Sequence, residues 1–285
     1  MMIKLHPIRR LIRRILPRKE FERFIFFVGA QKAGTTSLNS YLMNHPMVAG
    51  CDQRDPGFFD REKKYSKGLA YYHSMFPVLT ASTHALDATP GYLYSQIAAE
   101  RIHAFRSDAK IVIVLREPVS RAFSAFNMYQ QICRKKWFRR ELQDFNADSR
   151  EFFLPLAGGT IKPDIHYFLD REIAIVNGEA EGDEPSLIRR GIYAPQLNRF
   201  IRFFGRDNVL VLFSDDLKRE PEKITNEVFR FVGLDELTRG QYPLKHVRNY
   251  TEDNSGKDAI LECAGALFEK DKAELINCYG LNVPW

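Results

Sequence analysis

Apolar residues occur in short blocks along the chain, and these blocks predict alternating strands and helices. Three apolar runs have the length and composition of buried strands: residues 24–28, 110–115 and 209–213. Three further segments have helical periodicity or helix end signals: residues 36–44, 197–204 and 221–233. This alternation is typical of an α/β fold with three layers, in which a parallel sheet carries helices on both faces.

A glycine-rich turn follows the first predicted strand and leads directly into a helix. Gly29 and Gly34 have the spacing of an ATP-type phosphate loop, G-x-x-x-x-G-K-[ST]. Thr35, however, occupies the position of that lysine, and a lysine lies inside the loop instead, at Lys32. Because the N-terminus of a helix attracts anions, this turn predicts a phosphate-binding core. The predicted ligands are Gly29, Lys32, Gly34, Thr35, Thr36 and Ser37.

A second strand, turn and helix follow in the segment KIVIVLREPVSRAFSAF. Arg116 falls at the end of the strand, and Pro118 suits the first position of the helix. Ser120 and Ser124 are four residues apart and therefore share one face of that helix. An arginine and a hydroxyl in this arrangement can bind a phosphate through charge-assisted hydrogen bonds.

These two segments resemble the donor-binding motifs of sulfotransferases that use 3′-phosphoadenosine 5′-phosphosulfate (PAPS). The glycine-rich turn is similar to their 5′-phosphosulfate loop, and R-x-P-x-x-R-x-x-S-x-F is similar to their 3′-phosphate site. The segment CDQRDPGFFDR resembles the K-E-x-x-F-F-D segment of the heparan-type enzymes. The resemblance spans about residues 24–285, and the least similar part is about 130–188. It implies PAPS as the sulfuryl donor, the product PAP, no metal, and a saccharide or related hydroxyl or amine as the acceptor.

The resemblance also implies a role for individual donor-site residues. Lys32 would contact the bridging and leaving oxygens, and Arg116 with Ser124 would bind the 3′-phosphate. Tyr193, in an R-x-G-x-Y segment, would approach the nucleotide. Lys257 lies in a Ser-Gly-Lys segment similar to a loop that covers the donor.

Transfer to a hydroxyl requires a general base, and three residues are candidates. Asp55 falls on the position of the glutamate to which the resemblance to the heparan-type enzymes assigns this purpose. Asp87 is the second candidate and His73 a weaker third. A turn-forming role for Asp55 and a structural role for Asp87 remain open alternatives. Where relatives have a lysine before Thr-Pro, this chain has Ala88.

The net charge and the cysteine spacing limit the classes of ligand that the chain is expected to bind. The chain carries a net charge of +6 and has a pI near 9.1, which favours nucleotides, acidic saccharides or membrane phosphates. It has no recognisable nucleic-acid-binding motif, and its four cysteines lack metal-ligand spacing. Free thiols are the simplest interpretation; in some lumenal relatives a disulfide lies near Cys263 and Cys278.

The sequence predicts a basic N-terminal arm, one domain and an insertion within that domain. Residues 1–23 form a basic arm that either contacts an anionic membrane surface or is a solvated helix. The remainder, 24–285, is predicted to be one domain, with an acceptor-side insertion at about 130–188. The chain has no apolar run long enough for a membrane span, and the arm lacks the apolar core of a signal peptide. We therefore expect a cytoplasmic protein, which would lie at the inner membrane surface if the arm contacts lipid.

Two other functions are compatible with parts of this pattern. A nucleotide phosphotransferase would use the same kind of loop, although the displaced lysine and the lack of an evident magnesium-binding aspartate argue against it. A non-catalytic nucleotide- or glycan-binding protein would retain the fold without turnover. Asp55 in place of glutamate and Ala88 in place of lysine keep this second alternative open.

Overall fold

The computed structural model describes residues 21–53, 55–77, 82–237, 242–243 and 255–285. Nearly all of the basic arm predicted at 1–23 therefore lies outside the described residues. The chain forms two compact units. The first extends to Ala30 and includes Gly34–Leu115 and Leu197–His246, and the second comprises Gln31–Ala33, Arg116–Gln196 and Val247–Trp285. The prediction of one domain over 24–285 stays a prediction.

A five-stranded parallel sheet is the centre of the first unit. Its strands are β1 (Arg23–Gly29), β2 (Val48–Gly50), β3 (His84–Ala88), β4 (Lys110–Leu115) and β5 (Val209–Phe213). They lie in the order β2-β3-β1-β4-β5, and every pair is parallel. The predicted α/β fold with a parallel sheet is therefore confirmed.

Twelve α-helices occur in the described parts of the chain. They are α1 (Thr35–Leu42), α2 (Glu62–Tyr65), α3 (Leu69–His73), α4 (Ala98–Phe105), α5 (Pro118–Ile132), α6 (Lys136–Glu141), α7 (Ala147–Gly158), α8 (Ile165–Val176), α9 (Ala194–Phe204), α10 (Ser214–Arg219), α11 (Pro221–Val232) and α12 (Ser255–Tyr279). Strands β4 and β5 coincide with the predicted runs, because both are apolar segments with clear ends, largely buried in β4 and partly buried in β5.

Local sequence determines where several helices begin and end. Helix α5 begins at Pro118, and the Glu117 carboxylate accepts hydrogen bonds from the next two backbone N–H groups, at 2.8 and 2.7 Å. Helix α11 also begins at a proline and ends before Gly233, which has a φ of 80°. Glycine adopts this left-handed conformation without strain, so it ends the helix as predicted.

Aromatic side chains fill one part of the core of the first unit. The ring of Phe24 on β1 lies 4.9 Å from that of Phe105 on α4. Tyr72 on α3 stacks on Phe58 at 4.8 Å and meets Phe59 edge-on at 4.9 Å. Four of these side chains are buried and Phe105 is half-buried, and this packing fixes the segment around Phe58 against the sheet.

The second unit contains the region 130–188, which has weak periodicity in the sequence. In the structure this region includes helices α6, α7 and α8, whose buried faces are largely aromatic. Phe153 lies 5.3 Å from Phe138 and 5.1 Å from Tyr129 of α5. The periodicity is weak because these helices are short and expose several apolar residues. The assignment of this region as an acceptor-side insertion stays a prediction.

Cys263 and Cys278 both lie on α12, and all four cysteines are free thiols. They are separated by 15 residues of one helix, about 22 Å along its axis. A disulfide between these two cysteines is therefore incompatible with this helix.

A buried carboxylate organises the segment that precedes α9 in the second unit. Glu172 on α8 is fully buried and accepts hydrogen bonds from the backbone N–H groups of Ile188 (2.8 Å) and Arg189 (3.2 Å). The Arg189 guanidinium also binds it, with Nη2 at 2.9 Å from Oε1. A buried charge with a full set of donors is stabilising only while those donors remain.

Glu172→Gln is expected to destabilise the protein by about 3 kcal/mol, because it leaves the Arg189 charge and a backbone N–H poorly paired. Urea denaturation followed by circular dichroism measures this change in the free energy of unfolding. Glu181→Gln is the matched control, since Glu181 is exposed and should change stability by less than about 0.5 kcal/mol. Equal effects of the two substitutions would contradict the role of Glu172.

Candidate functional site

The loop after β1 has a backbone that depends on glycine. Gly29 has a φ of 156°, and a Cβ at this position would lie 2.7 Å from the Cβ of Leu93. Gly34 has a φ of 96°, in the left-handed region, and Lys32 between them also has a positive φ, 71°. The loop therefore turns sharply around a half-buried lysine.

Helix α1 begins at the end of this loop, at Thr35. The Gly34 carbonyl accepts hydrogen bonds from the N–H groups of Ser37 (3.0 Å) and Leu38 (3.2 Å). The N–H groups before them have no acceptor within the helix, and the N-cap residue, Gly34, has no side chain to cap them. Thr35 and Thr36 are half-buried, and Ser37 is buried. The arrangement has the donors and the helix dipole that bind an anion.

Arg116 directly follows β4 and contacts the loop lysine in the second unit. Its Nη1 donates a hydrogen bond to the Lys32 carbonyl oxygen at 2.9 Å. The side chain of Arg116 is half-buried. The structure thus brings together two residues that the sequence predicts to bind opposite ends of one nucleotide.

Three further residues of the second unit were predicted to bind the nucleotide, and two of them are more buried than Arg116. Ser124 is buried on α5, one turn after the fully buried Arg121. Tyr193 is 1% exposed, and its hydroxyl donates to the Arg116 carbonyl oxygen at 2.7 Å. Lys257, near the start of α12, lies with Nζ 5.9 Å from the centre of the Phe123 ring. Tyr193 therefore contacts Arg116 rather than presenting its hydroxyl to solvent.

Asp87, the second base candidate, lies on β3 in a closed polar environment. It is fully buried, and its carboxylate accepts hydrogen bonds from the hydroxyls of Thr89 (2.7 Å), Tyr92 (3.0 Å) and Tyr72 (3.1 Å). Burial raises the pKa of Asp87 from 3.8 to about 7, although the three hydroxyl donors oppose this shift. This environment favours a structural role over proton transfer to an acceptor, because a base must reach its substrate.

The Asp87 network extends to the segment that carries Asp55. The Tyr92 hydroxyl accepts the N–H of Phe58 at 2.9 Å, and the Thr89 hydroxyl accepts the N–H of Gly57 at 3.2 Å. Asp55 itself is exposed and has a φ of 59°. Asp87 therefore anchors the backbone just after the first base candidate.

Lys64 on α2 is a further charged residue near Asp55, and the sequence did not indicate it. Its ammonium donates to the carbonyl of Pro56, and burial lowers the pKa of Lys64 while Asp60 and Asp55 oppose that shift. Only the contacts in the structure identify Lys64, because the sequence does not distinguish it from any other lysine on a short exposed helix.

The third base candidate, His73, packs its ring 5.6 Å from Phe105 in the aromatic core.

The fold and these contacts are typical of one class of protein, the α/β proteins with a nucleotide-type anion site. In this chain the lysine of that site lies inside the loop. Within the described ranges, no group of three or more His, Cys, Asp or Glu side chains could hold a metal ion.

Comparison with known proteins identifies the family. The sulfotransferase domain family matches residues 22–254, and the chain therefore belongs to the sulfotransferase family. Human heparan sulfate glucosamine 3-O-sulfotransferase 6 is 30% identical over 208 residues, which are 73% of this chain and 51% of that protein. Mouse heparan sulfate glucosamine 3-O-sulfotransferase 3B1 is 28% identical over 207 residues, or 73% and 45% of the two chains. This chain thus spans about half the length of these relatives.

Solved structures agree with the fold. The crystal structure of a sulfotransferase from Alicyclobacillus acidocaldarius has a TM-score of 0.65 at 23% identity, and the match covers 93% of this chain and 98% of that one. The sulfotransferase domain of the Synechococcus PCC 7002 olefin synthase has a TM-score of 0.50 at 15% identity, covering 94% and 98%. The family predicted from the sequence, the PAPS-dependent sulfotransferases, is confirmed, and the phosphotransferase alternative is not favoured.

The predicted cytoplasmic localisation is wrong. The heparan sulfate sulfotransferases that this chain resembles are enzymes of the Golgi lumen. In the portion of the chain that the structure describes, no helix is long and apolar enough to cross a membrane. The prediction failed because it treated the lack of an apolar span as evidence of a compartment. Membrane contact by residues 1–23, nearly all of which lie outside the described residues, stays a prediction.

The buried Asp87 should make stability depend on pH. Its pKa is higher in the folded protein, about 7, than in the unfolded chain, so its contribution is fully present below about pH 4 and is lost as the pH rises to 7. Between pH 5 and 8, wild type should lose about 2 to 3 kcal/mol of unfolding free energy relative to Asp87→Asn, which has no titrating group there. Urea denaturation at both pH values measures this difference; a constant difference would contradict the raised pKa.

Proposed function

We propose that this protein transfers a sulfuryl group from PAPS to a hydroxyl of a saccharide. The observation that carries this proposal is the hydrogen bond from Arg116 to the loop at Lys32, in a chain of the sulfotransferase family. Phosphate loops of kinases place their lysine after the second glycine, whereas here the lysine precedes it and its backbone carbonyl accepts the hydrogen bond from Arg116. Two cationic residues whose backbone and side chain are joined in this way suit a ligand with two separate anionic groups.

The donor-binding residues have the chemistry that this ligand requires. The loop and first turn of α1 offer backbone N–H groups and hydroxyls, from Gly34, Thr35 and Thr36, to the 5′-phosphosulfate. Arg116 offers a planar guanidinium to the 3′-phosphate, and Ser124 adds a hydroxyl to this group. The N-terminus of α1 and the two cations favour the anionic donor electrostatically.

The reaction is an in-line displacement at sulfur. The acceptor oxygen forms a bond to sulfur while the bond from sulfur to the 5′-phosphate oxygen breaks, and PAP leaves. Lys32 stabilises the charge that develops on the leaving oxygen, as cations do in phosphoryl transfer. The acceptor hydroxyl loses its proton to the Asp55 carboxylate, which is the exposed member of the two aspartate candidates.

An anionic saccharide is the acceptor class that the chain and its relatives support. The named relatives act on heparan sulfate glucosamine. Around α6 the second unit exposes five cationic side chains, none in an ion pair within the described residues: Arg134, Lys135, Lys136, Arg139 and Arg140. Trp137 among them is 47% exposed. Cations attract an acidic polysaccharide, and an exposed indole offers a surface for a sugar ring.

Donor specificity tests the proposal directly. Calorimetry without magnesium should show that PAP binds more tightly than ADP or ATP, because only PAP carries a 3′-phosphate. Arg116→Ala should weaken PAP binding about 100-fold through the loss of charge-assisted hydrogen bonds, while ADP binding changes little.

Arg150→Ala is the matched control, since Arg150 is an exposed arginine of the same unit. It should bind PAP like wild type. Equal or tighter binding of ATP to the wild-type protein would refute the sulfotransferase proposal.

The base is tested with substitutions chosen for the left-handed backbone at residue 55. Asparagine tolerates a positive φ, so Asp55→Asn removes the charge and retains the backbone. The rate of sulfate transfer from radiolabelled PAPS to desulfated heparan saccharides should fall 10²- to 10⁴-fold, as expected for a lost general base.

PAP binding by Asp55→Asn should be unchanged, and Asp55→Glu should retain more activity than Asp55→Asn because it restores a carboxylate. Undiminished turnover in Asp55→Asn would exclude Asp55 as the base.

A further inference from the structure

We infer that Tyr193 and Asp271 position Arg116 and thereby set the preference for a 3′-phosphate, although neither contacts the donor. This inference rests on the proposed role of Arg116 as the 3′-phosphate ligand. It changes the role expected for Tyr193, from a ligand of the nucleotide to a residue that acts through Arg116. It also gives a role to Asp271, which the sequence did not single out.

The contact between Tyr193 and Arg116 is made through the backbone of the arginine. The Tyr193 hydroxyl donates to the Arg116 carbonyl oxygen at 2.7 Å, while the Arg116 side chain donates to the Lys32 carbonyl. Arg116 lies between the end of β4 and Pro118 at the start of α5. Its carbonyl is therefore not part of a strand or a helix, and Tyr193 supplies the hydrogen bond that holds it.

Asp271 holds Tyr193 in turn. Its two carboxylate oxygens accept the N–H groups of Tyr193 and Ala194, each at 2.8 Å. Ala194 is the first residue of α9, so a carboxylate from α12 binds the N-terminal N–H groups of another helix. Asp271 is buried, and such a paired arrangement is sensitive to the loss of either acceptor oxygen.

Close packing fixes the same segment from two sides. A Cβ at Gly191 would lie 3.1 Å from the Phe268 ring of α12 and 3.2 Å from the Cβ of Pro118 of α5. A side chain at residue 191 would therefore require one of these two helices to shift by a few tenths of an ångström, and glycine allows the close packing. Pro118 is two residues from Arg116. The R-x-G-x-Y segment therefore contacts the chain near Arg116 at two points, through Gly191 at Pro118 and through Tyr193 at Arg116 itself.

Titration of Asp271 gives this arrangement a measurable dependence on pH. Burial raises the pKa of Asp271 to about 6, opposed by its two backbone hydrogen bonds, and the neighbouring Glu274 raises it further. Tyr279 on α12 and Tyr193 also face it, and Arg116 and Arg121 face Tyr193. A protonated carboxyl accepts fewer hydrogen bonds, so the segment is held less firmly below about pH 6.

The ligands that test this inference are PAPS and adenosine 5′-phosphosulfate, which differ only in the 3′-phosphate. Tyr193→Phe removes the hydroxyl and retains the ring. It should weaken PAPS binding about tenfold in calorimetry at pH 8, as one lost hydrogen bond would, and leave adenosine 5′-phosphosulfate within about twofold of wild type.

Tyr167→Phe is the matched control for this substitution. The Tyr167 hydroxyl also donates to a backbone carbonyl, that of Phe152 at 3.1 Å, in the same unit. Its loss should leave the ratio of the two affinities unchanged. If Tyr193→Phe weakens both ligands equally, the residue is merely structural and the inference is wrong.

Asp271→Asn tests the second step through a pH profile. An amide accepts through one oxygen only and resembles the protonated acid, so PAPS binding should be about tenfold weaker than wild type at pH 8 and nearly equal at pH 5. Protonation of the 3′-phosphate affects both proteins alike and cancels in their ratio. A ratio independent of pH would overturn the role of Asp271. Wild-type protein that fails to prefer PAPS would instead refute the donor assignment itself.

Discussion

The parallel pairing of β1 with β3 on one side and β4 on the other is the constraint on which the rest depends. Parallel strands end at the same edge of a sheet, and ligands of open α/β sheets bind beyond that edge. The glycine loop follows β1, Asp87 lies near the end of β3, and Arg116 follows β4. The parallel direction of these three adjacent strands thus places the ends that lead into the glycine loop, Asp87 and Arg116 at one edge of the sheet.

Two buried carboxylates hold irregular segments of the backbone in this protein. Glu172 is saturated by donors from the segment around Arg189, and Asp271 accepts the backbone of the segment at Tyr193. In both cases a carboxylate holds irregular backbone whose N–H groups would otherwise be buried without acceptors. Such carboxylates specify one position for a loop, which a hydrophobic contact alone does less precisely, because hydrogen bonds are directional.

The sequence was sufficient for features that depend on neighbours in the chain. The bounds of β4 and β5 and the end of α11 at Gly233 follow from local apolar runs and spacing. The sequence was insufficient where contacts between residues far apart in the chain determine the role of a residue. Asp271 looks like any acidic residue of a long helix, and Lys64 like any lysine of a short one. The three helices within 130–188 gave only weak periodicity, since each is stabilised by aromatic packing rather than by a long amphipathic face.

Asp55 and Asp87 are both candidates for the base from the sequence, and their different exposure in the structure separates their roles. Asp87 is enclosed by three hydroxyls and cannot meet an acceptor, yet its hydroxyl partners bind the N–H groups of Gly57 and Phe58. Those residues lie immediately after Asp55, which is exposed. The buried carboxylate therefore fixes the backbone that presents the exposed one. A residue on a turn with a positive φ, such as the proposed base Asp55, needs such support, because a residue in that conformation is held in place only by its surroundings.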